Sequence, residues 1–322
     1  MAAASCKDIR RLINRTLVFA GNCTARRYCS SLTRLRSRSL LRITGEDKES
    51  FLQGLCTADV LSHVTAQYAM FLNAKGRVLS ECILYRPLLD QGAWLLECCQ
   101  QGSPALERHL NMYRLRAKVR IEPCEDYAVC WSGDARASVA SVGAIAVPDP
   151  RTSELGSRVL LPLRDTSSEE ETSRQETSAC YDQVRWRVGV AEGSGEVPPG
   201  ECTPLEYNLD LLSGVSFSKG CYLGQELTAR AHFTGVVRKR VVPMTYRLED
   251  EGHALSRGAK VVTKEESGEK KSVGRVVAQG GRLGLGLIKF KTRGPIFVVD
   301  PRNGSEVEAT FTVPAWWREG AE

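Results

Sequence analysis

Apolar and polar positions alternate in short runs along most of this chain, and the runs change character twice. Leu40 to Ile43 reads as a short strand, a turn follows at Gly45, and the spacing predicts a helix from about Asp47 to Gly54. YAMFLNAKGRVLSECILYRP reads as two strands joined near Lys75-Gly76, a hairpin signal, and AWLLECC as a third strand. SPALERHLNMYR then predicts a helix opened by Ser103 with Pro104 at its first position, and YRLRAKVRIE is read as the strand after it. Strands beside interspersed helices indicate an α+β layer rather than a doubly wound sheet.

The first change comes at residues 165 to 179, DTSSEEETSRQETSA, which hold no large apolar side chain and predict a solvated acidic insertion. Order resumes with YDQVRWRVGVAE, helical at first, and EVPPGECTPLE reads as a loop. The second change comes after residue 236. RVVPMTYRL, KVVTKE, SVGRVVAQ and IFVVD alternate, with turns at Glu266 to Glu269, Gly280-Gly281 and Pro301 to Gly304, and predict a small antiparallel barrel over 237–322.

Length and composition refine this picture. A chain of 322 residues exceeds what one core holds, so two or three domains are expected. At 42% hydrophobic and 25% charged residues, the composition is that of a soluble globular protein, and no apolar run approaches the length of a membrane span. The formal charge of +6 is concentrated at the start: residues 1–38 carry +8, which leaves −2 for the remainder. A basic globular face for nucleic acid therefore loses its main support. Rich in Arg, Ser and Ala and almost free of acids, with Leu12, Ile13, Leu17 and Val18 on one helical face, residues 1–38 read as a mitochondrial transit peptide, which places the protein in the matrix.

The 12 cysteines show no C-x-x-C pair and several sit in strand-like apolar runs, as small buried hydrophobes do in a reducing compartment. No intrinsic zinc or iron–sulfur site is expected from that spacing. One cysteine stands apart. KGCYLGQE, Lys219 to Glu226, crowds a thiol, an ammonium, a phenol, an amide and a carboxylate around two glycines, between an apolar run and ELTARAHF, which opens a helix. Lys219 lies two residues before Cys221; with both side chains on one side, the ammonium favours the thiolate and makes Cys221 the candidate nucleophile or iron ligand. A tight structural turn around a small half-buried cysteine is the alternative. His232, close after the signature, is a further candidate, and Arg238, Lys239 and Arg240 form a short basic run.

KGCYLGQE resembles the signature of the folate-binding YgfZ-like proteins, relatives of the T-protein (aminomethyltransferase) of the glycine cleavage system. FLQGLCTADV, FLNAKGRVLSECILY, YRLRAKVRIE and PLEYNLDLLSGVSFSKGCYLGQELTAR follow that family in its order, so the resemblance spans about residues 40 to 318. It implies two intertwined α+β domains over 39–236 around a central channel, followed by the antiparallel β-barrel. It implies tetrahydrofolate as a ligand of that channel. Arg114 and Arg116 in the YRLRAKV strand, with Lys118, are candidates to face the channel and meet an anionic folate tail, a solvated strand face being the alternative. Two positions depart from the T-protein: Ser80 and Glu81 stand where it has a pair of aspartates, and Arg187 where it has a pterin-facing glutamate. Lys219, Gly220, Cys221, Tyr222, Gly224, Gln225 and Glu226 all match the YgfZ-like signature.

The resemblance therefore implies a matrix factor for maturation of [4Fe–4S] proteins, working with A-type scaffold proteins and client apoproteins. Cys221 would meet a cluster transiently in it, with no stable metal cofactor. A folate-dependent one-carbon transferase is the alternative, although no complete catalytic constellation is visible.

Overall fold

The apolar strands read from the sequence are buried on both faces because two layers sandwich them. The computed structural model describes residues 32–62, 64–86, 92–137, 141–163, 175–235, 237–248, 254–264, 269–289 and 292–317. A five-stranded antiparallel sheet has the order β3 (Ala66–Leu72), β4 (Val78–Tyr85), β5 (Trp94–Cys99), β2 (Arg38–Thr44) and β6 (Arg120–Cys124). One face packs Leu41, Ile43, Leu84 and Leu96 against α1 (Lys48–Gln53) and α2 (Ser103–Arg114) through Leu52, Leu106 and Leu110. The alternate residues Leu40, Ile83, Tyr85 and Leu95 point the other way, into a larger core. Each such aliphatic side chain contributes roughly 1.5–3 kcal/mol by leaving water.

That second core is shared with a four-stranded sheet of order β1 (Thr33–Arg34), β7 (Tyr127–Ser132), β9 (Ser157–Pro162) and β8 (Ile145–Pro148), and with α3 (Gln175–Val188), after which the chain forms the single turn α4 (Gly193–Glu196). The chain enters this sheet at β1, where Thr33 pairs with Trp131, before it builds the five-stranded sheet, and returns to it at β7. The two α+β units are thus intertwined. The fold also begins earlier than a leader over residues 1–38 allows: Thr33 and Arg38 are buried. Residues 1–31 lie outside the described set, as do 165–174 of the acidic insertion; α3 starts at Gln175, five residues inside the stretch read as loop.

The C-terminal strands close into a barrel, β10 (Lys239–Tyr246), β13 (Leu283–Lys289), β12 (Lys270–Gly280), β11 (Lys260–Lys264), β14 (Ile296–Val299) and β15 (Glu306–Phe311). Closure removes the exposed strand edges. The barrel is tied to the remainder by Arg240, which donates to both oxygens of Asp210 and to the Leu205 carbonyl, and by Trp316, whose Nε1 donates to the Val188 carbonyl. In the α2 region, Gly102 is the N-cap and Ser103 the first helical residue. The helix runs to Arg114, so Arg114 and Arg116 do not lie on a strand; β6 begins at Arg120.

Candidate functional site

The signature segment lies between the end of α1, at Gln53 to Ala58, and the β3–β4 turn. Lys219 determines how it is held. Its Nζ donates to the carbonyls of Gln53 at 2.6 Å, Cys56 at 2.9 Å and Ala58 at 2.8 Å, so all three ammonium protons end on backbone oxygens where α1 runs out. A cation at a helix C-terminus also meets the negative end of the helix dipole. Burial lowers the Lys219 pKa, with Cys56 and Asp59 acting in the opposite direction. The same ammonium lies 5.1 Å from the Tyr222 ring centre, and burial lifts the Tyr222 phenol to about 12. Lys219 and Tyr222 therefore point inward together.

Gly220 and Cys221, between them, point out. Cys221 is exposed, whereas every other described cysteine is buried or half-buried. The proposed pairing of Lys219 with Cys221 is therefore corrected: the lysine turns away from the thiol to anchor the loop, and the thiol its charge bears on is the buried Cys56, which desolvation nonetheless raises to about 11. A Cβ added at Gly220 would meet nothing within 4 Å, so the backbone beside the thiol is open to an approaching group.

Gly224 supplies the second clamp. At φ 79° it is the N-cap of α5 (Gln225–Phe233), and a Cβ there would come within 2.5 Å of the Asn73 carbonyl oxygen. Gly76, at φ 72° in the β3–β4 turn, packs back: its Cβ would meet the Gly224 carbonyl at 2.9 Å. The two glycines let the hairpin turn and the signature turn touch backbone to backbone, a contact that side chains at positive φ forbid. The Leu223 N–H donates to the Gly54 carbonyl and the Ser216 N–H to the Thr57 carbonyl, extending the seam. Gln225 and Glu226 open α5, with Glu226 exposed. His232 joins the group from the last turn of α5, stacked on Phe217 with ring centres 3.6 Å apart at 9°, beside Phe233, which is 74% exposed.

The other named candidates are scattered. Arg114, Arg116 and Arg187 are exposed and separate from the signature. Glu81 is buried, and its carboxylate is bound by the Arg38 guanidinium and by the Gly193 N–H at 3.0 Å.

Arg38 leads into a buried ionic centre that sequence reasoning missed. Its Nε donates to Glu97 at 2.8 Å, and Glu97 also accepts from Tyr85. Arg158 and Arg151 both donate to Glu192, at 2.5 and 2.7 Å, and Arg151 also donates to Asp149, at 2.7 Å. Tyr181 donates to Glu192 at 2.6 Å. Burial alone would raise the Glu192 carboxyl, but Arg158, Arg38 and Arg151 outweigh it and hold the group well below its ordinary value. Asp149 is lowered for the same reason, burial being overcome by Arg151 and Arg158. The available signal was a charge inside an apolar run: Glu81 in VLSECILY, Glu97 in WLLECC and Arg158 in SRVLLP.

Residues 238–319, the closed barrel, match the family model described as the CAF17 C-terminal beta-barrel domain. A crystal structure of the glycine cleavage system aminomethyltransferase T from Bartonella henselae superposes with a TM-score of 0.68 over 89% of this chain and 86% of that one, at 15% identity, which establishes a shared fold. The human mitochondrial iron–sulfur cluster assembly factor IBA57 is 38% identical over 306 residues, covering 88% of this chain and 84% of the human protein. Its mouse counterpart is 37% identical over 313 residues (90% and 86%), and the homologue of Pyricularia oryzae 31% over 335 residues (90% and 86%). An exposed thiol on a doubly clamped loop, a T-protein fold and this similarity over most of the chain together show that the chain belongs to the IBA57 family of iron–sulfur cluster assembly factors.

Proposed function

We propose that this protein is a mitochondrial matrix factor that assists maturation of [4Fe–4S] proteins, with Cys221 as the group that meets the cluster. The observation that carries this reading is the separation of roles within the signature: Lys219, Tyr222 and Gly224 fix the loop, and Cys221 is left exposed beside an open Gly220. Thiolates are natural iron ligands, and a surface thiol on a fixed backbone can enter and leave a shared coordination shell without refolding. The proton leaves Cys221 to solvent as the sulfur takes an iron site vacated by a ligand of the delivering protein. An A-type scaffold protein as that deliverer, and apoproteins of [4Fe–4S] enzymes as recipients, complete the proposal.

Tetrahydrofolate binding in the T-protein manner fits these residues poorly. A pterin needs a free acidic group at its donor edge. Glu81 is committed to Arg38 and the Gly193 N–H, and Arg187 is exposed, so the one-carbon transferase is the weaker reading.

The test is rescue of cells lacking the protein, read as aconitase activity and protein lipoylation. Wild type should restore both, and Cys221→Ser and Cys221→Ala should fail while accumulating to wild-type level. Full rescue by Cys221→Ala would defeat the ligand role.

A further inference from the structure

Outside the site, one surface combines unpaired charge with apolar side chains held away from the fold. It is formed by the end of α2 and the turn that leads to β6. Leu106 and Leu110 point α2 into the core, so the opposite face, with Arg108, Met112 and Leu115 spaced four and three residues apart, is presented to solvent. Met112 is 69% exposed and Leu115 86% exposed.

Leu115 is held out by backbone geometry that disfavours it. It has φ 44° and ψ −109°, a region that glycine occupies without strain, in a turn closed by the Ala117 N–H to the Arg114 carbonyl at 2.8 Å. A leucine kept at such a position, facing water, stabilises nothing within this chain. Arg114 and Arg116 flank it, both exposed, and together with Arg108 they have no ion-pair partner among the described residues. The neighbouring cations differ in that respect, since Lys118 is paired with Glu46 and Arg120 with Glu122. The half-buried Glu107 is the one acid on α2, and the patch is basic on a body whose formal charge beyond residue 38 is −2.

From this we infer that the α2–β6 turn docks the protein on an anionic lipid surface, with Leu115 and Met112 entering the interface and Arg108, Arg114 and Arg116 meeting phosphate headgroups. Charge and exposure favour a bilayer: Leu115 and Met112 stand in solvent, where a headgroup layer accepts them without a matching cavity, and three unpaired arginines close by in the chain complement a diffuse negative surface. Such docking is peripheral, consistent with the lack of any helix among the described residues long and apolar enough to cross a membrane.

Flotation of the full chain with vesicles tests this, comparing phosphatidylcholine alone with phosphatidylcholine carrying a third phosphatidylglycerol. Residues 1–38 carry +8 of their own, so the discriminating quantity is the difference between wild type and variants of the turn. Replacing Arg108, Arg114 and Arg116 together by Gln should weaken binding to the anionic vesicles about fivefold per arginine, or roughly a hundredfold. Leu115→Ser should weaken it by roughly tenfold, and added salt should remove the arginine effect. Leu115→Gly, which relieves the backbone without restoring the side chain, should bind as weakly as Leu115→Ser while folding at least as well as wild type. Variants that float like wild type would overturn the proposal, as would equal binding to neutral vesicles. Loss of binding to an acidic protein with unchanged vesicle affinity would also overturn it, assigning the patch to a protein partner.

Discussion

The buried ionic centre and the signature loop are both rich in polar groups, yet they resolve them in opposite ways. In the centre, Glu81, Glu97, Asp149 and Glu192 each meet a guanidinium of Arg38, Arg151 or Arg158, so every carboxylate is ion-paired, although Nε and Nη1 of Arg158 have no hydrogen-bond partner among the described residues. In the loop, the one buried charge, Lys219, is satisfied by three backbone carbonyls, which leaves Cys221 unencumbered at the surface. Concentrated charge here marks structure, and the chemistry sits where charge is sparse.

The largest effect expected is in the centre. Arg158→Ala removes a fully buried cation shared by Glu192, Glu97 and Asp149 and leaves those carboxylates to Arg151 and Arg38 alone; the cost should be about 3–5 kcal/mol, read by urea denaturation. If Arg158→Ala costs less than about 1 kcal/mol, the centre is hydrated enough to tolerate an unpaired acid and the contrast with the loop fails.

Acid should attack the centre before the loop. Glu192 and Asp149 have folded-state pKa values below their unfolded ones. Their contribution is therefore complete above the unfolded pKa, near 4, and is lost as pH falls through the folded value. Stability should fall steeply below about pH 4, by roughly 1.4 kcal/mol per pH unit for each such group, and Glu192→Gln should flatten that slope. An unchanged slope in Glu192→Gln would remove this residue from the linkage.

In the loop, Lys219→Met tests anchoring. It keeps the bulk of the side chain but leaves the Gln53, Cys56 and Ala58 carbonyls without their donor, a loss of about 2–3 kcal/mol. Cluster-enzyme rescue should drop although Cys221 is intact. Were Lys219 an activator of the thiol instead, stability would be unchanged and only the pH dependence of Cys221 alkylation would move. Gly224→Ala should cost about 1–3 kcal/mol through its φ of 79° and the approach to Asn73, and should loosen the same loop.

How far these regions could be read from sequence follows from the range of the forces involved. Alternation located β2, the β3–β4 hairpin and WLLECC because each is fixed by its own pattern against a core. Strand β13 escaped because LGLGLIK carries glycines where the pattern needs side chains. Those glycines are required: a Cβ at Gly284 would lie 2.2 Å from the Ala278 carbonyl oxygen, and one at Gly286 would lie 2.1 Å from the Met244 sulfur. The octapeptide was legible as a site by its residue types, but the direction of Lys219 was not, since it depends on carbonyls more than 160 residues earlier. The ionic centre joins Arg38 to Glu192 across most of the fold, and only the acids within apolar strands hinted at it.

The smallest effect on stability and the largest on function should coincide at Cys221. Its side chain is exposed, so Cys221→Ser removes little buried surface and should change stability by less than about 0.5 kcal/mol. Alkylation of the native protein should label Cys221 first, because the remaining described thiols are buried or half-buried and several are raised by desolvation. If Cys221 is the group that meets iron, the serine variant should fold and persist like wild type yet fail to restore aconitase. That combination separates the exposed thiol from its anchor, because Lys219→Met should lose stability and rescue together. A serine variant that loses both would instead make the thiol one more structural member of the loop, and the division between a satisfied interior and an open surface group would not hold at this site.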